Sequence, residues 1–358
     1  MNDFDESVIA DYQYDVWRMA ASIILVARNP EMDIFSQNRE KQEQIIDAFS
    51  ESYLDTIASY RGNDKEVKTN FTLDSLGFNL NELLDKNRVK NNPKKARKKM
   101  LEKWTNEEGD KLANQKKIDE KKLAIIDLDS DLYQEIKKAI SDYSKSLAKK
   151  FDDKPAHFKV KDIAQRLGAG LGSLGTSRYY VLIEGESTKP SDDRILDVKR
   201  QSKPTAYAFL GSAWQKEYDR HFSNDAQRQA IAYNALIKDA DAYLGWIELS
   251  DGVYSVRERS PFKDSILTTN LNKEKAFTNM AKLWGKILAT DHARADKDFA
   301  SDLIPYSFDK QVDKLTDGHH KEFRALVRQI AFEYADRIQA DYEAFEAALK
   351  PDKCPEVE

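Results

Sequence analysis

Cysteine is almost absent from the 358 residues: Cys354, near the end, is the only one. A disulfide framework and a multi-cysteine zinc site are both excluded, and a reducing compartment is the expectation. Long apolar runs are missing too. The longest, Met19–Ala27, has nine residues and includes Ser22. It is too short to span a bilayer, and no charged-then-apolar leader is read before it. No membrane partner and a soluble, cytoplasmic protein are therefore expected. Neither charge sign dominates: 57 Lys and Arg stand against 62 Asp and Glu, a net charge of −5. That balance disfavours nucleic-acid binding, which works by neutralising phosphates. What is present is 41% apolar residues, enough for a core, and 33% charged residues against a usual roughly 25%. The length suits a two-lobed enzyme or two modest domains.

Helical texture opens the chain to about residue 60, with Trp17, Ala20, Ala21, Ile24 and Ala27 at three- and four-residue steps. The acidic residues Asp3, Asp5 and Glu6 lie on the approach to that helix. From about 74 to 122 the chain is strongly polar, and Lys86–Lys103 is dense in Lys and Arg. That stretch reads as a solvated helix surface or a mobile insertion, with a phosphate- or acid-binding patch as the alternative. Leu132–Leu147 is amphipathic. The texture then changes: Arg178–Glu184 (RYYVLIE) is strand-like, Gly185–Asp193 is turn chemistry, and Ile195–Lys199 alternates. Leu196 and Val198 fall on one face of it, Asp197 and Lys199 on the other. Asp225–Tyr243 reads as helix. Trp246–Leu249 and Val253–Arg257 flank Ser250-Asp251-Gly252, a hairpin signal. Helix returns after Phe262, and Phe323, Val327, Ile330, Tyr334, Ile338, Tyr342, Phe345 and Leu349 mark a long terminal one.

Four glycines, Gly168, Gly170, Gly172 and Gly175, fall within eight residues. Glycine lets backbone amides approach a phosphate, and a plain turn is the competing reading. A Rossmann fingerprint needs a strand before and a helix after, whereas a helix-like DIAQRL precedes and a strand follows. A Walker loop needs Lys directly after the last glycine, where Thr176-Ser177 stands. What remains is a glycine turn between strands, as over the nucleotide of protein kinases. That reading calls for a lysine on a later strand, and Lys199 qualifies, with an ordinary exposed strand lysine as the alternative. Asn2–Glu6 (NDFDE) offers hard oxygen ligands of the kind Mg²⁺ takes beside phosphates, or simply a solvated acidic start. Asp15 reads as a helix cap or a buried orienting carboxylate. His292, at the end of an apolar helix, reads as structural, and no other histidine shows metal-ligand spacing.

Together these motifs resemble the bacterial domain-of-unknown-function 2252 family, which is grouped with protein-kinase-like folds. Asn2–Glu6, Tyr14–Arg18 and Ala20–Ser22 look like its NDFDE…WDLKRLAAS segment. Asp162–Gly185 is similar to its DVA…GVGSVGTRRY.VLLEG block, and Ile195–Arg200 to its LQ.KEA strand. Gln227-Arg228, Asp241 with Leu244-Gly245-Trp246, Tyr254 with Val256-Arg257, and Leu288 with His292-Ala293-Arg294 follow in order. The resemblance implies a kinase-like phosphotransferase in permuted order. ATP would be bound by Gly170, Gly172, Ser173, Gly175 and Lys199, and Mg²⁺ by Asp3 or Asp5. Asp15, Arg257, His292 and Arg294 would be structural or orienting, Asp15 by bracing the catalytic loop. The family has no agreed substrate, so the acceptor, a small molecule or a protein, is not named. Three departures stand out. The family's GD.H..NFG loop upstream of NDFDE is not found, Arg200 stands where it has Glu, and Ile231 where a lysine-pairing Glu is expected.

The expected fold class is α+β, protein-kinase-like and two-lobed, with a small antiparallel sheet lobe and a larger helical lobe. Residues 1–155 would be the first part of the helical lobe, 156–260 the nucleotide-binding sheet lobe, and 261–358 the second helical part. Two functions are expected to compete: an ATP- and Mg²⁺-binding phosphotransferase-type domain with weak or absent turnover, and a non-catalytic pseudokinase-like binding or regulatory module. Nucleic-acid binding through Lys86–Lys103 is a weaker third reading.

Overall fold

Side-chain caps written into the sequence start several of the helices: Asn38, Asp129, Asn224 and Asp296 each accept from an amide of the first turn they precede. In the computed structural model, residues 4–71, 93–113, 125–147, 158–168, 175–185, 187–262 and 266–349 are described. Helices α1 (Gln13–Ala27), α2 (Arg39–Tyr60) and the short α3 (Lys65–Lys68) are followed by α4 (Pro93–Trp104), β1 (Ile125–Ile126) and α5 (Ser130–Asp142). Strands β2 (Val160–Arg166), β3 (Arg178–Ile183) and β4 (Arg194–Gln201) precede α6 (Ser212–His221) and α7 (Asp225–Leu236). The hairpin of β5 (Gly245–Leu249) and β6 (Gly252–Glu258) leads to α8 (Glu274–Arg294), α9 (Lys297–Ala300), α10 (Phe308–Thr316) and α11 (His320–Ala348). The class is α+β. The chain divides into a sheet-bearing unit, Met1–Ile9 with Asn87–Asp264, and a helical unit, Ala10–Lys86 with Ser265–Glu358.

The helical unit is organised by α1, α2, α8 and α11. Ala20, Ile24 and Ala27 of α1, Ile46, Phe49 and Tyr53 of α2, and Phe277, Met280 and Ala281 of α8 share one core, with Trp17 packed at its margin. Gly285 lets α8 approach α2 closely: a Cβ there would lie 2.4 Å from the Phe49 carbonyl oxygen. The expected apolar stripe of α11 holds only in part. Val327 is fully buried, but Tyr334, Tyr342, Phe345 and Leu349 are half exposed or more. The buried face also carries Ala331, Phe332 and Ala335, and the two alanines pack closely but leave little trace in a stripe drawn from large side chains.

The sheet-bearing unit is built on a six-stranded antiparallel sheet in the order β1-β2-β3-β4-β6-β5. The two residues Ser250 and Asp251 join β5 to β6, with Gly252 already paired to Leu249, and the hairpin forms where its sequence predicts. One face, with Tyr179, Val181, Leu196, Val198, Tyr254 and Val256, is covered by Ile136 and Ile140 of α5. On the other face Tyr180, Leu182 and Ile195 pack beneath Met100, Leu101 and Trp104 of α4. Residues 4–9, α4 and α5 thus belong with the sheet rather than with the helices at the chain's start. The basic stretch is correspondingly not a solvated surface all round: Ala96, Met100, Leu101 and Trp104 are buried, while Lys86, Arg88 and Lys90 lie outside the described residues. Two further expectations change. DIAQRL is strand β2 up to Arg166, because pairing with β3 outweighs the helical leaning of Ala, Gln, Arg and Leu. Helix α7 stops at Leu236 rather than Tyr243, and Asp239 just beyond it takes φ +54°.

Candidate functional site

Strand alternation divides β4 as expected. Leu196 and Val198 enter the core, while Asp197, Lys199 and Gln201 project from the opposite face. The register sets Arg178 of β3 and Ser255 of β6 opposite Lys199, and Arg257 of β6 opposite Asp197. Beyond the apolar end covered by α4, this face is polar.

The opening segment lies against it. Phe4 is buried on the Tyr233 ring, with centroids 4.6 Å apart, and Glu6 accepts a hydrogen bond from the Thr205 amide at 2.6 Å. Between them, Asp5 meets Lys199, whose ammonium donates to Oδ2. Gln201 Nε2 donates to Asp5 Oδ1 and also to Ser255 Oγ, both at 3.0 Å. Burial alone would raise the Asp5 carboxyl. The hydrogen bond and charge of Lys199, with Gln201 and Arg257, outweigh it and hold Asp5 below the usual carboxylate range. Asp197 is satisfied separately by a bidentate Arg178, Nε donating to Oδ1 at 2.6 Å and Nη2 to Oδ2. Arg257 Nε stands 3.8 Å from the same Oδ2. Near the end of β6, Asp241 accepts from the Tyr243 and Glu258 amides at 3.0 and 2.6 Å, and burial pushes it up to about 6 despite those amides.

Two of the departures acquire a physical explanation. Arg200 lies on the face of β4 away from Lys199 and binds the turn at Asp251, Nη2 donating to its carbonyl at 2.5 Å. The lysine's carboxylate partner comes from Asp5, so Ile231 of α7 leaves Lys199 paired. Of the glycine turn, Gly175 has φ +72° and Gly168 φ +59°, backbone that side chains disfavour. Gly170, Gly172, Ser173 and Asp3 lie outside the described residues.

The orienting residues assigned to the helical unit converge on a second arrangement. The Tyr53 hydroxyl and His292 Nδ1 are 2.9 Å apart, and His292 Nε2 lies 3.3 Å from Asp15 Oδ2. Tyr53 is fully buried and its phenol raised well above its ordinary value, first by that burial. A protonated phenol donating to Nδ1 leaves Nε2–H to donate to Asp15, which fixes the tautomer. Burial would raise Asp15, but the hydrogen bond from His292 and the electrostatic pull of His292 and Arg18 leave it lowered. Arg294 Nε donates to the Glu66 carbonyl at 2.9 Å, its Nη2 to that of Thr69, and its Nη1 to Asp291 at 3.1 Å. Asp291 Oδ2 is buried with no hydrogen-bond partner among the described residues, and burial pushes this carboxyl up to about 6.

Glu51, Asp55 and His320 also bring three potential metal ligands together. The Arg324 guanidinium already occupies one oxygen of Glu51, and His320 contacts the other at 3.3 Å, so Glu51 is already engaged by its neighbours. Sequence reasoning missed Gln201, Arg178 and Tyr53. The first two were findable, since Gln201 shares the face of Lys199 by alternation and a strand arginine beside a buried aspartate invites pairing. Tyr53 carried no signal of its kind.

Among the described residues no helix is long and apolar enough to cross a membrane. No curated protein and no solved structure matches the chain. A family model does match, over residues 1–348, and its description is an uncharacterized protein conserved in bacteria, DUF2252. The opening segment, the glycine block, the lysine strand and the His292 helix all fall inside that span, and the chain belongs to the DUF2252 family.

Proposed function

We propose that the sheet-bearing unit binds a nucleoside triphosphate, ATP, together with Mg²⁺, and that the protein is a phosphotransferase-type domain of kinase-like design. The observation that carries this reading is the meeting of Asp5 with Lys199, 194 residues apart in sequence. A glycine turn between antiparallel strands, a lysine on the next strand and a helix after it are the order in which kinases place their phosphate-binding parts. The residues present suit the ligand. Asp5, with Asp3, would hold Mg²⁺, which needs one or two carboxylates beside the phosphate oxygens. Lys199 would neutralise the phosphates, Gly170, Gly172, Ser173 and Gly175 would cradle them, and Arg257 would orient the group from the adjacent strand. Bound Mg²⁺ supplies charge neutralisation and bridging of phosphate oxygens. The chain's own part is positioning: Asp5 and Lys199 exchange their mutual contact for cation and anion respectively, so neither charge is left unpaired. The acceptor is a small molecule or a protein.

A second reading is a nucleotide-responsive module without catalysis. Ile231 and Arg200, where the resemblance expects acidic residues, favour it. Thermal unfolding with ATP, with and without Mg²⁺, tests the shared part, because a ligand at about 100 times its Kd stabilises by about 2.7 kcal/mol. A rise in Tm that needs Mg²⁺ is expected, and no rise at millimolar ATP counts against both readings. ADP formed over hours, with water taking the phosphoryl group in the absence of an acceptor, then separates them, the phosphotransferase producing it and the module not.

A further inference from the structure

Helix α7 begins with a reciprocal cap. The Asn224 side chain accepts from the Gln227 amide at 2.8 Å, and Gln227 Oε1 accepts from the Ser223 amide at 2.7 Å, which fixes the first turn. Arg228 follows directly, and its side chain is 1% exposed. A guanidinium so buried needs acceptors, and both Nη atoms find them while Nε has no hydrogen-bond partner among the described residues. Four of the five acceptors lie in the opening segment, three carbonyls and one hydroxyl. Nη1 donates to Ser7 O at 2.6 Å, to Ser7 Oγ at 2.8 Å and to Phe4 O at 3.4 Å. Nη2 donates to Asp5 O at 2.8 Å and to Ser202 O at 3.2 Å. Asp225 is the nearest charge, 3.9 Å from Nε. Ser202 is the residue after β4, so one side chain ties the opening segment to the end of the strand that carries Lys199. With its own carbonyl held, Asp5 presents its carboxylate to Lys199 and Gln201.

We propose that Arg228 is the positioning residue that sets Asp5 opposite Lys199. Helix α7 acts at one remove, through the main chain of the segment that bears the carboxylate. The value of this for nucleotide binding rests on the function proposed above, but the positioning itself does not.

The test uses the full chain and no nucleotide. Hydrogen–deuterium exchange is read at residues 4–9, and the acylation rate of Lys199 by a small amine-reactive ester is read by mass spectrometry. Lys161 serves as reference, being similarly covered and paired with Asp193 at 2.7 Å in the same unit. Arg228→Gln is expected to raise both readouts about tenfold, the population change that follows loss of a charge-assisted contact, with Lys161 unchanged. Arg228→Lys is expected to do the same, since one ammonium cannot serve both ends of the fork. Asp5→Asn raises the labelling of Lys199 and leaves exchange at residues 4–9 unaltered. Should Arg228→Gln fail to fold, Ser7→Ala removes one acceptor and is expected to raise both readouts by about threefold. Faster exchange with Lys199 labelling at the wild-type rate, restoration of both by Arg228→Lys, or no change in either overturns the proposal. If Lys199 responds as expected but ATP does not bind, the nucleotide reading falls and the positioning role stands.

Discussion

Asp5 of the sheet-bearing unit and Asp15 of the helical unit are both held ionised below the usual carboxylate range, by different means. Asp5 faces a permanent cation across a part-exposed pair, with Lys199 16% and Asp5 27% exposed at their side chains. Such a contact is partly screened by water, and the proposed function has it exchanged for a metal ion on one side and a phosphate on the other. Asp15 faces an imidazole whose far nitrogen is locked by Tyr53, a phenol with no exposure at all. Nothing behind Asp15 can move without leaving a buried polar group unpaired. The two carboxylates differ less in their own exposure, since the Asp15 side chain is 45% exposed, than in what backs them: Asp5 meets a part-exposed ammonium, Asp15 an imidazole held by a buried phenol.

The largest way to break the contrast is to disturb the rigid side. Gly285→Ala sets a Cβ against the Phe49 carbonyl, and about 3 kcal/mol of stability should be lost, read as a lower denaturant midpoint. A midpoint within error of wild type would mean that α2 and α8 have slack. Tyr53→Phe is next. It deprives the buried His292 of its Nδ1 partner and should cost about 2 kcal/mol, with a changed imidazole tautomer balance in ¹⁵N spectra. Lys199→Met should cost less, under about 1 kcal/mol, because water screens the pair. A loss as large as that of Tyr53→Phe would erase the distinction.

The smallest effects lie in pH dependence, and their signs oppose. Asp5 is lowered from 3.8, so its contribution is present above about pH 4 and is lost as pH falls through its folded value. Asp5→Asn should flatten the acid limb of the stability curve. Asp291 is raised to about 6, so its contribution is present below about pH 4 and is lost as pH rises through 6. Asp291→Asn should therefore gain on wild type between pH 4 and pH 7, measured as the difference in Tm. A difference that shrinks over that interval would show that Arg294 compensates the charge fully.

Much of the sheet-bearing unit could be read from residues alone, because strand alternation is a strict geometric rule. It placed Asp197 and Lys199 on one face, and the Asp-Gly turn placed the β5–β6 hairpin. The meeting of Asp5 with Lys199 was legible only through motif order, since no local rule spans 194 residues. DIAQRL misled because its strand character is imposed by β3 and not by its own preferences. The reading of α11 misled because Ala331, Phe332 and Ala335 face the core where Tyr334, Tyr342 and Phe345 were expected to. His292 offered no visible partner in sequence, because Tyr53 and Asp15 come from helices 239 and 277 residues away. Arg228 stood in a motif, but which carbonyls it would clasp depends on a chain segment that folds back from the other end of the sequence.

The most direct measurement is calorimetric titration of ATP, with and without Mg²⁺, into the intact chain and into its Asp5→Asn and Lys199→Met variants. Binding that requires Mg²⁺ in the wild type, loses that requirement in Asp5→Asn and weakens at least about tenfold in Lys199→Met is the expected pattern. Absence of heat in the wild type at millimolar ATP, or equal affinity in all three proteins, would contradict it.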